Sequence, residues 1–395
     1  MRTFNKDKVR LVIILMAVVI GAFLVTSSGQ AAGDTYYVAQ NGNDENSCAA
    51  ARDINAPKRN IMGNNGGIAC MQSPGDTLLI RQGTYPEIIN NYTAPYSLPS
   101  GTSWDNAFTV AAYPGETVVI QRIAIATDDH LNLELAYWIF DGLHVVNDVP
   151  GGTEAIWMGS PDHLRFVNME ATTAGRDSAL CVQGDGHFIE FINVEVHSCG
   201  DPTAPVYSYG FYWGGSDSLF DQIKLHDTTG YGFHLYSQGC EADGMCPERN
   251  TIRNSEIYNT GTVSASAGIL FAFGDGNQAH GNIIRHNSSG ITVGYGASDA
   301  KIYDNKIYEN GYNGISSGSG WGNSPSSNVV IENNIIASNG GYGILNSAEG
   351  VSHGEPIGTI IQNNTMFNNA MGVNGILDTG IGTTRSNNVT ADVGL

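Results

Sequence analysis

The feature that most constrains this chain is a phrase it keeps repeating. "FIEFINVEVHSCG", "LFDQIKLHDTTG", "TIRNSEIYNTG", "KIYDNKIYENG", "VIENNIIASNG" and "IIQNNTMFNN" align with one another. A polar turn residue recurs at Asn168, Asn193, Gln222, Asn254, Asp304, Asn333 and Asn363. Each is followed by a short alternating strand, a glycine-bearing turn and a second short strand such as "GFYW", "GFHLY", "GILF", "GITV", "GISS" or "GILN". A repeat of ~20 to 30 residues made of period-2 strands cannot bury its apolar side alone, so successive copies must stack. The expectation is an all-β parallel solenoid. Asparagine suits its turns because it tolerates left-handed backbone angles and can bond to its counterpart one rung away. The stretch from Asn277 to Gly296 fits less well, and Asn282 is its expected ladder member.

At the start of the chain, Arg2, Lys6, Lys8 and Arg10 precede an unbroken apolar or glycine run from Leu11 to Val25, and "TSSGQAA" follows. The run is shorter than the ~20 residues that span a bilayer, so it reads as a signal peptide cut after Ala31 or Ala32. The expected organisation is a leader over 1–32, an N-terminal cap and first rungs over 33–134, and the coil over 135–395. The mature chain is then secreted, extracellular or periplasmic, with no membrane association after cleavage. All six cysteines lie in the exported part, where disulfides persist. Cys48 with Cys70 and Cys240 with Cys246 are the expected local pairs, each closing a glycine-rich loop. Cys181 with Cys199 is the weaker pairing, because a buried free cysteine is an ordinary packing residue. The net charge of −20 argues against a nucleic-acid partner. It also repels acidic polysaccharides unless a basic patch or a cation offsets it. A monomer is expected.

The entry to the coil carries a resemblance. "YYVAQNGNDENS", a short helix near Pro57 to Met71, and "SPGDTLLIRQGTYPE" resemble the N-terminal cap of the pectate-lyase-like right-handed parallel β-helix proteins; "YWIFDGLHV" resembles their first full rung. The likeness covers nearly all of the mature chain. It implies a right-handed parallel β-helix with a short N-terminal capping helix, and a polysaccharide partner. The superfamily holds lyases, glycoside hydrolases, epimerases and non-catalytic surface proteins, so the fold does not choose the chemistry. The paired aspartate followed by Gly-His-Gly of polygalacturonases is absent, as is the Asp-Pro-His-Asp of alginate epimerases. Members of the family continue beyond a segment like "NNVTADVGL", so a C-terminal cap is expected to be missing here or supplied by a partner.

Strand alternation sorts the reactive residues by face. With Val194, Val196, Ile223, Leu225 and Ile257 inward, Glu195, Lys224 and Glu256 form one outward column and His197, His226 and Tyr258 the next. On the neighbouring strand Phe211, Trp213, Phe233 and Leu235 point in, so Tyr212, His234 and Tyr236 are expected to point out. Tyr231 sits on the turn between them. Lower rungs are bland in the same columns: Lys306 and Tyr308, Ile335 and Ala337, Thr365 and Phe367. The longest insertions, Cys199 to Tyr209 and Gly239 to Glu248, fall at the reactive rungs and are expected to wall the groove.

Three chemistries compete for this groove. A polysaccharide lyase working on a uronic acid by β-elimination needs a base, an acid and a positive charge facing the carboxylate. Lys224 or His226 would be the base, with His226 favoured because Glu195 and Glu256 flank the lysine; Tyr231, Tyr236 or His234 would be the acid and Arg253 the charge partner. Bare Glu195, Lys224 and Glu256 could equally be a solvated ion-pair ladder. An inverting glycoside hydrolase would use Glu195 and Glu256, two rungs or ~9.6 Å apart, with Asp221 and Asp227 in reserve. A binding or structural β-helix would use Tyr212, Tyr236 and Trp321 as sugar platforms, with the histidines incidental. For an enzyme, substrate contacts are expected at His197, Tyr212, Glu195, Glu256 and Tyr258. The residues name no particular cofactor. Asp128 with Asp129, or Asp275, could bind Ca2+, although no spacing matches a known loop. The lyase is the leading expectation.

Overall fold

The computed structural model describes residues 33–92, 98–126, 135–149, 154–174, 180–200, 208–237, 239–240, 246–261, 266–318, 324–348, 354–392 and 394. The expected leader, Asp128, Asp129, Trp321, most of the first insertion and half of the second lie outside these residues.

Every strand pairing is parallel, and each strand pairs with its counterpart one turn of the chain away. Among the described residues one sheet has 13 strands, from Thr35–Val38 to Thr384–Ser386, and the other has 21 strands laid as two alternating ladders. This is a right-handed parallel β-helix, the hand that nearly all parallel crossovers take. A middle turn illustrates the path: Leu219–Asp221 on the first face, a bend at Gln222, Lys224–Thr228 on the second, a bend at Thr229 to Gly232, then Phe233–Leu235 on the third.

The core is a set of like-on-like columns. Phe140, Phe166, Phe191 and Phe220 occupy one register, adjacent rings 4.6 to 5.5 Å apart and within 16° of parallel, and Ile252 continues the column. Val196, Leu225 and Ile257 stack on the second face, and Phe211 and Phe233 on the third, 4.5 Å apart. All of these side chains are fully buried.

The expected turn residues sit where a left-handed backbone is needed: Asn168, Asn193, Gln222, Asn254, Asp304, Asn333 and Asn363 all have φ between 50° and 57°. Asn193 Nδ2 donates to Asn168 Oδ1 at 2.7 Å. Asn282 belongs elsewhere. Gly281 takes the left-handed position in that turn (φ 65°), and Asn282, one residue on, heads a buried row through Asn305, Asn334, Asn364 and Asn388. Each Nδ2 in that row donates to the next Oδ1 at 3.0 Å.

Two further expectations change. In place of a helix near Pro57 to Met71 there is one 3-10 turn, Ile68–Cys70. Gly63, Gly66 and Gly67 interrupt the stretch, and glycine is a poor helix former. Cys181 and Cys199 are joined, as are Cys48 with Cys70 and Cys240 with Cys246. The two β-strands carrying Cys181 and Cys199 bring their Cα atoms to 5.4 Å, well within bridging range. No helix among the described residues is long and apolar enough to cross a membrane.

Candidate functional site

On the second face the two expected columns are present. Glu195, Lys224 and Glu256 share one register, and His197, His226 and Tyr258 the next. The rings of the latter form a continuous stack: His197 to His226 at 5.2 Å, His226 to Tyr258 at 4.8 Å, and the Arg285 guanidinium 4.5 Å over Tyr258. His226 is held from both sides. Its Nε2 lies 3.0 Å from Glu195 Oε1 and its Nδ1 2.7 Å from Asp227 Oδ2. Both ring nitrogens therefore already face a carboxylate. The side chain is 13% exposed. Glu195 also accepts from Lys224 Nζ at 2.7 Å, which holds its carboxyl below the usual range and raises the lysine. Glu256 binds Arg285 at 2.7 Å. The carboxylates expected as a hydrolytic pair are thus each engaged with a cation. Asp227, though burial works to raise it, is held low by His226 and Asn259. It borders a depression of about 630 Å3 at the bend, shared with Asn259, His286 and Tyr312.

Arg253 is not on this face. It lies on the first sheet, across the bend at Asn254, and its Nη2 donates to Asp221 Oδ2 at 2.7 Å. Parity fixes whether a side chain points outward; it does not say which of three faces the side chain leaves from.

His234, Tyr231, Tyr236 and Tyr212 form a separate cluster on the third face, and no contact joins them to His226 among the described residues. Tyr212 and His234 share a register. His234 does leave the coil outward, yet it is 8% exposed. Four tyrosine rings surround it: Tyr209 and Tyr231 at 4.9 Å, Tyr236 at 5.1 Å and Tyr212 at 5.4 Å. Burial pushes its pKa down to about 3, so it is neutral at ordinary pH and cannot be the expected acid while enclosed. Burial likewise pushes Tyr212 and Tyr231 up to about 12.

Beside this cluster runs an open groove of about 520 Å3. Trp157, Gln183 and Tyr212 form its central column on successive rungs, with Asp185, Tyr236 and Ser237 along its edges. Tyr92 meets Trp157 edge-on at 6.2 Å and lengthens the aromatic line. Gly184 leaves room for the core beneath, because a Cβ there would come within 2.9 Å of the Met158 Cβ and 3.1 Å of the buried Trp213 ring. Among the described residues no lysine or arginine lines the groove. Sequence reasoning missed Trp157, Gln183 and Asp185. Alternation in "IWMG" would have turned Trp157 outward, had those rungs been read with the later ones. Asp275, the remaining Ca2+ candidate, neighbours Asp299, whose carboxyl is raised first by burial and then by Asp275. No group of three metal-ligating side chains occurs among the described residues.

Compared by sequence with curated proteins, the chain finds no match. Residues 178–348 match the family described as "Right handed beta helix region". Among solved structures, pectate lyase Pel9A aligns with a TM-score of 0.53 at 20% identity, over 88% of this chain and 80% of that one. The mannuronan C-5 epimerase AlgE4 A-module of Azotobacter vinelandii aligns with 0.55 at 14%, over 80% and 87%. The GH136 lacto-N-biosidase of Eubacterium ramulus aligns with 0.53 at 11%, over 91% and 68%. Identities this low speak to fold alone, and these names span three chemistries. The chain has the right-handed parallel β-helix fold, and residues 178–348 carry its repeat in sequence as well.

Proposed function

We propose that this protein is a secreted carbohydrate-active β-helix that holds a neutral stretch of polysaccharide along Trp157, Gln183 and Tyr212. The observation that carries this is the groove itself. Aromatic faces for sugar rings alternate there with amide, carboxylate and hydroxyl groups for sugar hydroxyls, over a glycine floor. The charged side chain in its described lining is Asp185, and the protein is strongly acidic, which favours a neutral chain. The three disulfides support an oxidising destination.

β-Elimination on a uronic-acid polysaccharide is the second reading. It is favoured by one feature of the other face: Lys224 remains 48% exposed, beside the Glu195–His226–Asp227 chain. Incubation of the mature protein with neutral glucan, xylan and mannan and with polygalacturonate and alginate separates the two. The groove reading expects binding to a neutral chain, weakened ~30-fold or more by Trp157→Ala, the scale of a lost aromatic anchor. Ultraviolet-absorbing unsaturated products from an acidic chain, abolished by Lys224→Ala and untouched by Trp157→Ala, would establish elimination instead. Binding of neither class overturns both.

A further inference from the structure

We infer that His234 is a concealed ligand-binding group of the aromatic groove, contacting a sugar hydroxyl once Tyr212 or Tyr236 turns aside. This rests on the groove reading above and adds a residue that the open groove does not display. Gln183, Tyr212 and His234 occupy one register on successive rungs, so the imidazole continues the groove's own central column. Tyr212 and Tyr236 do double service: both line the groove and both cover the imidazole.

The chemistry at this position is unusual for a packing residue. Neither ring nitrogen of His234 has a hydrogen-bond partner among the described residues. Buried polar atoms are rarely left so, and a core gains nothing from it. One rung further on, Leu270 fills the same register with an apolar side chain at 2% exposure, so packing alone does not call for an imidazole. Kept neutral by its burial, the ring has one donor and one acceptor. A sugar hydroxyl, which both donates and accepts, is complementary to it, and a neutral sugar meets no opposing charge there.

The test uses the mature protein, its Trp157→Ala, His234→Phe and His234→Gln variants, and cellohexaose, xylohexaose and mannohexaose as probes. Affinity, melting temperature and the ring-nitrogen NMR signals of His234 are measured. His234→Phe is expected to lower affinity about ten-fold, the equivalent of one lost hydrogen bond, while its melting temperature holds or rises. His234→Gln, which keeps a donor and an acceptor, recovers part of the affinity. In the wild-type protein the ring-nitrogen signals shift at saturation. If His234→Phe binds as the wild type does while Trp157→Ala does not, this inference falls and the groove reading stands; an internal water serving the imidazole would give that result. If His234→Phe does not fold, the wild-type nitrogen signals decide, and unmoved signals at saturation overturn the inference. Should the wild-type protein bind none of the probes, the groove reading fails and this inference with it.

Discussion

The imidazoles of His197 and His226 lie face to face on consecutive rungs, their centroids 5.2 Å apart and their planes 6° from parallel. The parallel register dictates this, since equivalent outward residues repeat at the strand spacing of ~4.8 Å. His226 is therefore a structural keystone whatever else it does. His226→Ala removes two carboxylate contacts and two ring contacts, and leaves Glu195 with Lys224 alone. Urea unfolding is expected to show a loss of about 1–3 kcal/mol. An outward histidine without such partners would tolerate the change.

Lys224→Ala is expected to cost at most about 1 kcal/mol in the same assay, and less in high salt. The side chain is half exposed and its ion pair with Glu195 is screened.

His234 makes stability depend on pH. Its folded-state pKa of about 3 lies below the ordinary value of 6.5, so between those values the unfolded chain binds a proton that the folded one refuses. The stabilisation is complete above pH ~6.5 and is lost as pH falls toward 3, at up to ~1.4 kcal/mol per pH unit. Carboxylates held low, such as Glu195 and Asp227, add their losses only at the acid end. Melting temperatures between pH 6.5 and 4.5 should therefore fall in the wild type and stay flatter in His234→Phe.

Neighbouring asparagines should respond oppositely to substitution. Asn334→Ala takes the acceptor from the Asn305 backbone N–H and removes the side-chain amide bonds that join residue 334 to Asn305, Ile302 and Asn364, all inside the coil. A loss of about 3–5 kcal/mol is expected. Asn333→Gly, at a left-handed position (φ 57°), should change stability by a few tenths of a kcal/mol. Paired denaturant titrations compare them directly.

How far the sequence revealed this molecule depended on which physical rule applied. Alternation within short strands put Val196, Leu225 and Ile257 inside and His197, His226 and Tyr258 outside, because parity is a local property and the repeat supplied the register. Pointing outward is a different matter from being exposed. His234 leaves the coil as expected and is then covered by Tyr209 and Tyr231, a contact between a strand and a bend that no period records. Arg253, the expected charge partner in the groove, lies on the first sheet, because the repeat unit does not announce where one sheet ends and the next begins. Asn282 was one position out of phase because Gly281 supplies the left-handed bend that asparagine supplies elsewhere. Trp157 and Gln183 escaped notice since their rungs repeat least clearly in sequence.

The buried asparagine row has a direction and therefore a phase. Its successive members stand 23, 29, 30 and 24 residues apart in the chain, yet each makes the same bond to the next at 3.0 Å. The surplus residues are discarded into loops between the strands, where nothing counts them. Such a molecule can lengthen by duplicating a whole turn, since the new amide finds the neighbours it expects, and it can lengthen a loop at will. A single residue added between Asn334 and the strand after it would instead put every later side chain of that turn out of step. Inheritance in this coil works in whole turns, and the loops are where a lineage is free to write.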